Sequence, residues 1–152
     1  MAPQGRRHRF WTLSEFVVEI GPFVAAYLVL VALLLGSFIN LAADRIPRGE
    51  SVIRPRSHCR ACGRTLNVID LVPVVGYVLR GGRCATCRTT IGAAAPTVEA
   101  ASGASMAGSI LWLGLWPGAG AGLLLVAVLG LVVTGRAIRA RTTPGLHEKQ
   151  PG

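Results

Sequence analysis

Cys59-Arg60-Ala61-Cys62-Gly63, followed by Gly81-Gly82-Arg83-Cys84-Ala85-Thr86-Cys87, is the stretch on which the fold turns. It holds two Cys-x-x-Cys knuckles with 21 residues between them, and these are the only cysteines in the chain. Two cysteines separated by two residues bring both sulfurs onto one ion in a tight turn, and two such turns complete a tetrahedral thiolate set. Gly63, Gly81 and Gly82 supply backbone freedom where the turns need it. Cys59, Cys62, Cys84 and Cys87 therefore read as ligands of a structural zinc ion, Zn2+. A set of four leaves no open position for catalysis and no need for the neighbouring His58. Two disulfides or a redox pair are the alternatives. Disulfides need an oxidising compartment, and a redox pair needs a βαβ context that the sequence does not show.

Long apolar segments flank the knuckles. Ile20–Ala43 is 24 residues without a charge, enough to cross a bilayer core of about 30 Å as a helix. Ala100–Gly135 is 36 uncharged residues, with Trp116-Pro117-Gly118 in its middle. It reads as two helices joined by a hairpin at that tripeptide. The expected fold is mainly α and polytopic, with three transmembrane helices and a small zinc-ribbon-like loop between the first and second. The expected boundaries are a tail at 1–19, spans at 20–43, 96–116 and 118–138, a loop at 44–95 and a polar tail at 139–152, disordered from Thr142. The basic residues Arg6, Arg7 and Arg9 precede the first span. Its apolar run is longer than a signal-peptide core and no Ala-x-Ala site follows it, so it reads as a retained helix.

Charge sets the orientation. Nine arginines lie in the loop: Arg45, Arg48, Arg54, Arg56, Arg60, Arg64, Arg80, Arg83 and Arg88. Arg136, Arg139, Arg141 and Lys149 follow the last span, and the hairpin has none. The positive-inside rule then makes the loop and the C-terminus cytoplasmic. A formal net charge of +9 also raises nucleic acid as a partner, but most of the excess stands beside apolar spans. The lipid bilayer and its anionic head groups are the nearer partner.

The order of several short motifs resembles one family. Gly36-Ser37-Phe38-Ile39-Asn40, Arg45-Ile46-Pro47, the first knuckle, Asp70-Leu71-Val72-Pro73-Val74, Leu79-Arg80-Gly81-Gly82-Arg83-Cys84, and Pro96 with Val98-Glu99 are similar to the N-terminal region of prepilin leader peptidases. That resemblance implies a bacterial inner-membrane protein of the type IV pilus and protein secretion systems. Family members cleave the leaders of type IV prepilins and pseudopilins on the cytoplasmic side. Many then N-methylate the new terminus with S-adenosylmethionine. Their proteolysis uses two membrane aspartates, one of them in a Gly-x-Gly-Asp motif, and the cysteine loop is associated with methylation or substrate handling.

The sequence departs from this pattern. Its only aspartates are Asp44 and Asp70, neither at a catalytic position of the family, and Gly-x-Gly-Asp is absent. Ala93-Ala94-Ala95 stands where the family has a basic–aromatic pair before the proline. Aspartyl proteolysis needs two carboxylates that share a proton, so no catalytic residue is assigned. The expectation is a non-proteolytic zinc-loop module that assists prepilin processing with a separately encoded aspartic prepilin peptidase. The alternatives are an S-adenosylmethionine-dependent N-methyltransferase and an inactive structural zinc protein. Asp70, Arg80, Arg83 and Glu99 are the candidate substrate or cofactor contacts, against a turn role for Asp70 and a helix-dipole role for Glu99. Gly36 with Asn40, and Ala100 with Ala104 and Gly108, form small or polar stripes suited to helix contacts. No internal repeat is visible.

Overall fold

The computed structural model describes residues 13–142. They form α1 (Leu13–Arg45), a loop with two 3-10 turns (Ile46–Arg48 and Ile69–Leu71) and the one-turn α2 (Val75–Leu79), then α3 (Ala94–Leu113) and α4 (Leu115–Thr142). Two helices among the described residues are long and apolar enough to cross a membrane, over Ile20–Arg48 and Leu115–Arg141. The cysteines lie between them.

The helix bounds differ from the sequence reading. α1 starts at Leu13 rather than Ile20, so the last part of the expected tail is helical. Its 33 residues reach about 50 Å, more than the bilayer core. The break between α3 and α4 falls at Gly114, with φ +82°, not at Trp116–Gly118. A residue at that φ favours glycine, whereas Pro117 sits in the first turn of α4, where a missing N–H costs nothing. α4 continues through Arg139 and Arg141, so the expected polar tail begins as helix. Residues 143–152 lie outside the described part, and with them the expectation of disorder. α3 begins at Ala94, which makes Pro96 its third residue rather than its first.

The three long helices pack on one another around Ala32, Met106 and Val126, with Leu28, Val29, Leu35, Ile39 and Ile110 against them. Close approach depends on absent side chains. A Cβ on Gly36 would stand 2.7 Å from Ser102 Oγ and 2.9 Å from the Glu99 Cα, so α1 and α3 touch backbone to side chain there. Gly36 thus makes the contact expected of its stripe, whereas the stripe expected on α3 does not pack within this chain. Ala100 and Ala104 are exposed, and a Cβ on Gly108 would meet nothing within 4 Å. The packed face of α3 carries Glu99, Ser102, Gly103 and Met106.

The expected zinc ribbon has no strands among the described residues. Each knuckle is closed by a single antiparallel bridge, His58 to Thr65 and Arg83 to Thr90.

Gly36→Val should destabilise the helix bundle by about 1–3 kcal/mol through overpacking against α3. Gly21→Val, with nothing within 4 Å of the added Cβ, should not. Unfolding in detergent, followed by helical circular dichroism, compares the two.

Candidate metal centre

The two knuckles are one structure built twice. In the first, Cys59 N–H donates to Arg64 O at 2.8 Å and Gly63 N–H to Cys59 O at 2.8 Å. In the second, Cys84 N–H donates to Thr89 O at 2.9 Å and Arg88 N–H to Cys84 O at 3.1 Å. The residue that closes each turn is left-handed: Gly63 at φ +72° and Arg88 at φ +58°. Gly81 and Gly82, read from sequence as serving the second knuckle, instead end the α2 turn. The repeat lies in backbone bonds, so side-chain identity hides it.

This geometry aims four sulfurs at one point. Cys59 Sγ lies 3.7 Å from Cys87 Sγ, and Cys62 Sγ lies 4.0 Å from Cys84 Sγ. All four fall within 4.8 Å of one another. All four are free cysteines, and a disulfide would need about 2.05 Å between sulfurs. The set can hold a metal ion. His58 is not part of it; its Nδ1 is engaged with Arg56 O.

The thiols do not share one acidity. Backbone N–H groups of Cys87 and Thr86 bring Cys84 down to about 6, against the burial of that thiol. Cys87 is also lowered, first by the Thr89 hydroxyl. Cys62 receives a backbone N–H from Arg64, yet burial and bonds to the other three sulfurs push it up to about 11. Without a metal, the cluster gives up its protons in separate steps.

Carboxylates brace the knuckles. Asp70, almost buried, accepts from Arg64 Nη2 at 2.7 Å and from Arg80 Nε at 2.7 Å. Arg64 directly follows the first knuckle and Arg80 leads into the second, so one carboxylate ties both. A reciprocal pair adds to it, with Asn67 N–H to Asp70 Oδ2 at 3.1 Å and Asp70 N–H to Asn67 Oδ1 at 3.0 Å. Burial alone would raise the Asp70 carboxyl, but the Asn67 N–H and the two guanidiniums hold it below the usual carboxylate range. Asp44, at the end of α1, pairs with Arg48 and with Arg60 of the first knuckle.

Glu99, 7% exposed on α3, accepts the Val74 N–H at 2.6 Å. Val74 has φ 59° and ψ −50° and is followed by a Val75 N–H to Pro73 O bond at 2.5 Å. That is a classical γ-turn, uncommon for a β-branched residue. Glu99 therefore ties the loop to α3; as the sixth residue of that helix it lies past the first turn, so the helix-dipole role expected of it does not hold.

The sequence reading missed Asp44, Arg45 and Arg64. Arg45, 6% exposed, donates to Ser51 O at 2.7 Å and Pro55 O at 2.9 Å. Of the nine loop arginines, Arg45, Arg48, Arg60, Arg64 and Arg80 make side-chain ties to backbone or carboxylate partners. Only the i,i+4 spacing of Asp44 and Arg48 was a local signal. Arg80 is committed to Asp70, while Arg83 is exposed, with no side-chain bond to the described residues.

A cleft of about 500 Å³ opens where these elements meet. Asn40 and Asp44 of α1, Tyr77, Arg83 and Cys84 of the loop, and Glu99 of α3 line it. All four sequence-predicted contacts, Asp70, Arg80, Arg83 and Glu99, border this space.

The family profile of the Bacterial Peptidase A24 N-terminal domain matches residues 30–113. A prepilin leader peptidase/N-methyltransferase of Myxococcus xanthus is 34% identical over 60% of this chain and 28% of its own length. One of Bacillus subtilis is 39% identical over 47% of this chain and 29% of its own. One of Klebsiella pneumoniae is 30% identical over 86% of this chain and 58% of its own. The chain thus spans less than two thirds of each of these relatives. No solved structure matches.

In metal-free protein at neutral pH, alkylation should reach Cys87 well before Cys62, although both are exposed. The lowered thiol is more ionised and the raised one is protonated, so the gap closes as pH rises through about 11. Peptide mass spectrometry of iodoacetamide time courses measures the order.

Proposed function

The chain belongs to the family of the Bacterial Peptidase A24 N-terminal domain, and from that premise we propose that it is a metal-braced membrane module that assists prepilin or pseudopilin processing. The observation that carries this reading is the four-sulfur cluster held between two apolar helices, inside the residues that match the family. Zinc is the proposed ion. A Zn–S bond of about 2.3 Å gives tetrahedral sulfurs about 3.8 Å apart, beside the 3.7 and 4.0 Å separations here. Cys59, Cys62, Cys84 and Cys87 would hold it, and a closed thiolate set gives it a structural task.

α3 is proposed as a third span, shielded on its packed face by α1 and α4. The arginine count then puts the Cys loop on the cytoplasmic side of the bacterial inner membrane. The reading includes a peptidase half that supplies the catalytic aspartates. Within residues 1–152 the only aspartates are Asp44 and Asp70, and each is bound by two arginines. Neither is arranged to share a proton with a second carboxylate, as an aspartic peptidase requires.

A second reading is favoured by the cleft. Its volume suits a ligand of drug size, and S-adenosylmethionine is a candidate for N-methylation there, with Arg83 as an anion contact. Calorimetric titration of the detergent-solubilised chain with S-adenosylmethionine should then give saturable heat, and none would remove this reading.

The main reading predicts one zinc per purified chain by elemental mass spectrometry. Cys84→Ser should lose most of it. It also predicts co-purification, from a native membrane extract, of a membrane protein carrying Gly-x-Gly-Asp. A metal-free wild type would overturn the zinc assignment. An extract in which no such protein accompanies the chain would overturn the split-peptidase assignment.

A further inference from the structure

The run from Leu71 to Leu79 is nine residues without a charge. Most of its larger apolar side chains do not face the protein. Val75, Val78 and Leu79 are 50%, 66% and 68% exposed, and Val68, Leu71 and Val72 are exposed beside them. Within α2, Val75, Val78 and Leu79 stand three and four apart and share one side of the turn. The inward side carries Pro73 and Gly76, both buried, and the half-buried Tyr77. Gly76 lies against the 3-10 turn, where a Cβ would stand 2.6 Å from Ile69 O. The segment is therefore amphipathic with its polarity reversed: its larger apolar side chains point away from the chain.

An apolar face left to water needs a covering, and the structure fixes its level. Val74 is bound to Glu99 in the N-terminal part of α3, and Tyr77 borders the cleft formed with Asn40 and Asp44 near the end of α1. The face is thus held beside the loop-proximal ends of the apolar bundle. There α1 exposes Phe38, and the turn after it exposes Ile46. Charge points the same way. Arg83 and Arg88 follow the segment, both exposed and without an acidic partner among the described residues.

Resting on the membrane reading above, we propose that residues 68–79 form an interfacial anchor. Val68, Leu71, Val72, Val75, Val78 and Leu79 dip into the head-group boundary of an anionic bilayer, with Arg83 and Arg88 against the lipid phosphates. Such a surface seats its apolar face about 5–10 Å into the boundary. It lays the loop flat on the membrane, so that the cleft opens beside the lipid surface instead of into bulk water.

The test uses the full chain in nanodiscs of phosphatidylethanolamine and phosphatidylglycerol. Val78→Trp and Leu79→Trp are each made with Trp11, Trp112 and Trp116 replaced by phenylalanine, and emission is read with brominated lipids. Bromines near the head-group end of the acyl chains should quench the introduced tryptophan by about half, and more than bromines near the chain ends, as an interfacial depth requires. Water-like, unquenched emission from both variants would overturn the anchor; it is also the result expected if the face docks on another protein. A parallel chain that keeps Trp112 and Trp116 reports insertion. Quenching there but not at 78 or 79 overturns this inference alone. No quenching at Trp112 or Trp116 overturns the membrane reading on which it rests.

Discussion

A segment that buries almost no apolar side chain must be held by something other than the hydrophobic effect, and that constraint shapes the region from Ile46 to Ala93. Its buried residues are Pro73, Gly76 and Cys84, and most of its large aliphatic residues are exposed. Burial at roughly 25 cal/mol per Å² cannot act on surface that stays open. Directional bonds replace it. Arg45 holds the backbone at Ser51 and Pro55, Asp44 holds Arg60, Asp70 holds Arg64 and Arg80, and Glu99 holds Val74. Each tie depends on a charged group. The helices supply two of the three acids, so loop order follows from bundle order.

The same constraint explains the use of Asp70. A carboxylate between two guanidiniums is stabilised in its charged form and is a poor proton donor or acceptor at neutral pH. Asp70 is kept ionised by its partners, and removing one partner of such a buried pair costs far more than the pair contributes over an apolar substitute. The acids of the loop are braces for the sulfur cluster.

Much of this was legible in the sequence, for reasons that separate cleanly. The knuckles depend on spacing along the chain, and the two long apolar helices on local composition, so both could be read directly. The helix break was misplaced because proline and glycine both punctuate, yet only Gly114 occupies a backbone conformation that favours glycine; Pro117 is at home in a first helical turn. The face of α3 that packs within this chain was not singled out because small residues stand on two faces, and periodicity does not say which one meets α1 and α4. The partners of Asp70 and Glu99 are set by the closed loop and leave no local trace. The repeat of the two knuckles was hidden because Gly63 in one answers to Arg88 in the other.

The sorting of the loop arginines has a consequence for ionic strength. Exposed charges separated by more than a Debye length of about 8 Å in physiological salt are screened, and buried pairs much less so. Arg54, Arg56, Arg83 and Arg88 belong to the first group, and the guanidiniums around Asp70 to the second. Added salt therefore acts on the outward charges first. It screens the outward charges while the loop keeps its internal form, so electrolyte separates the long-range field of this region from its shape.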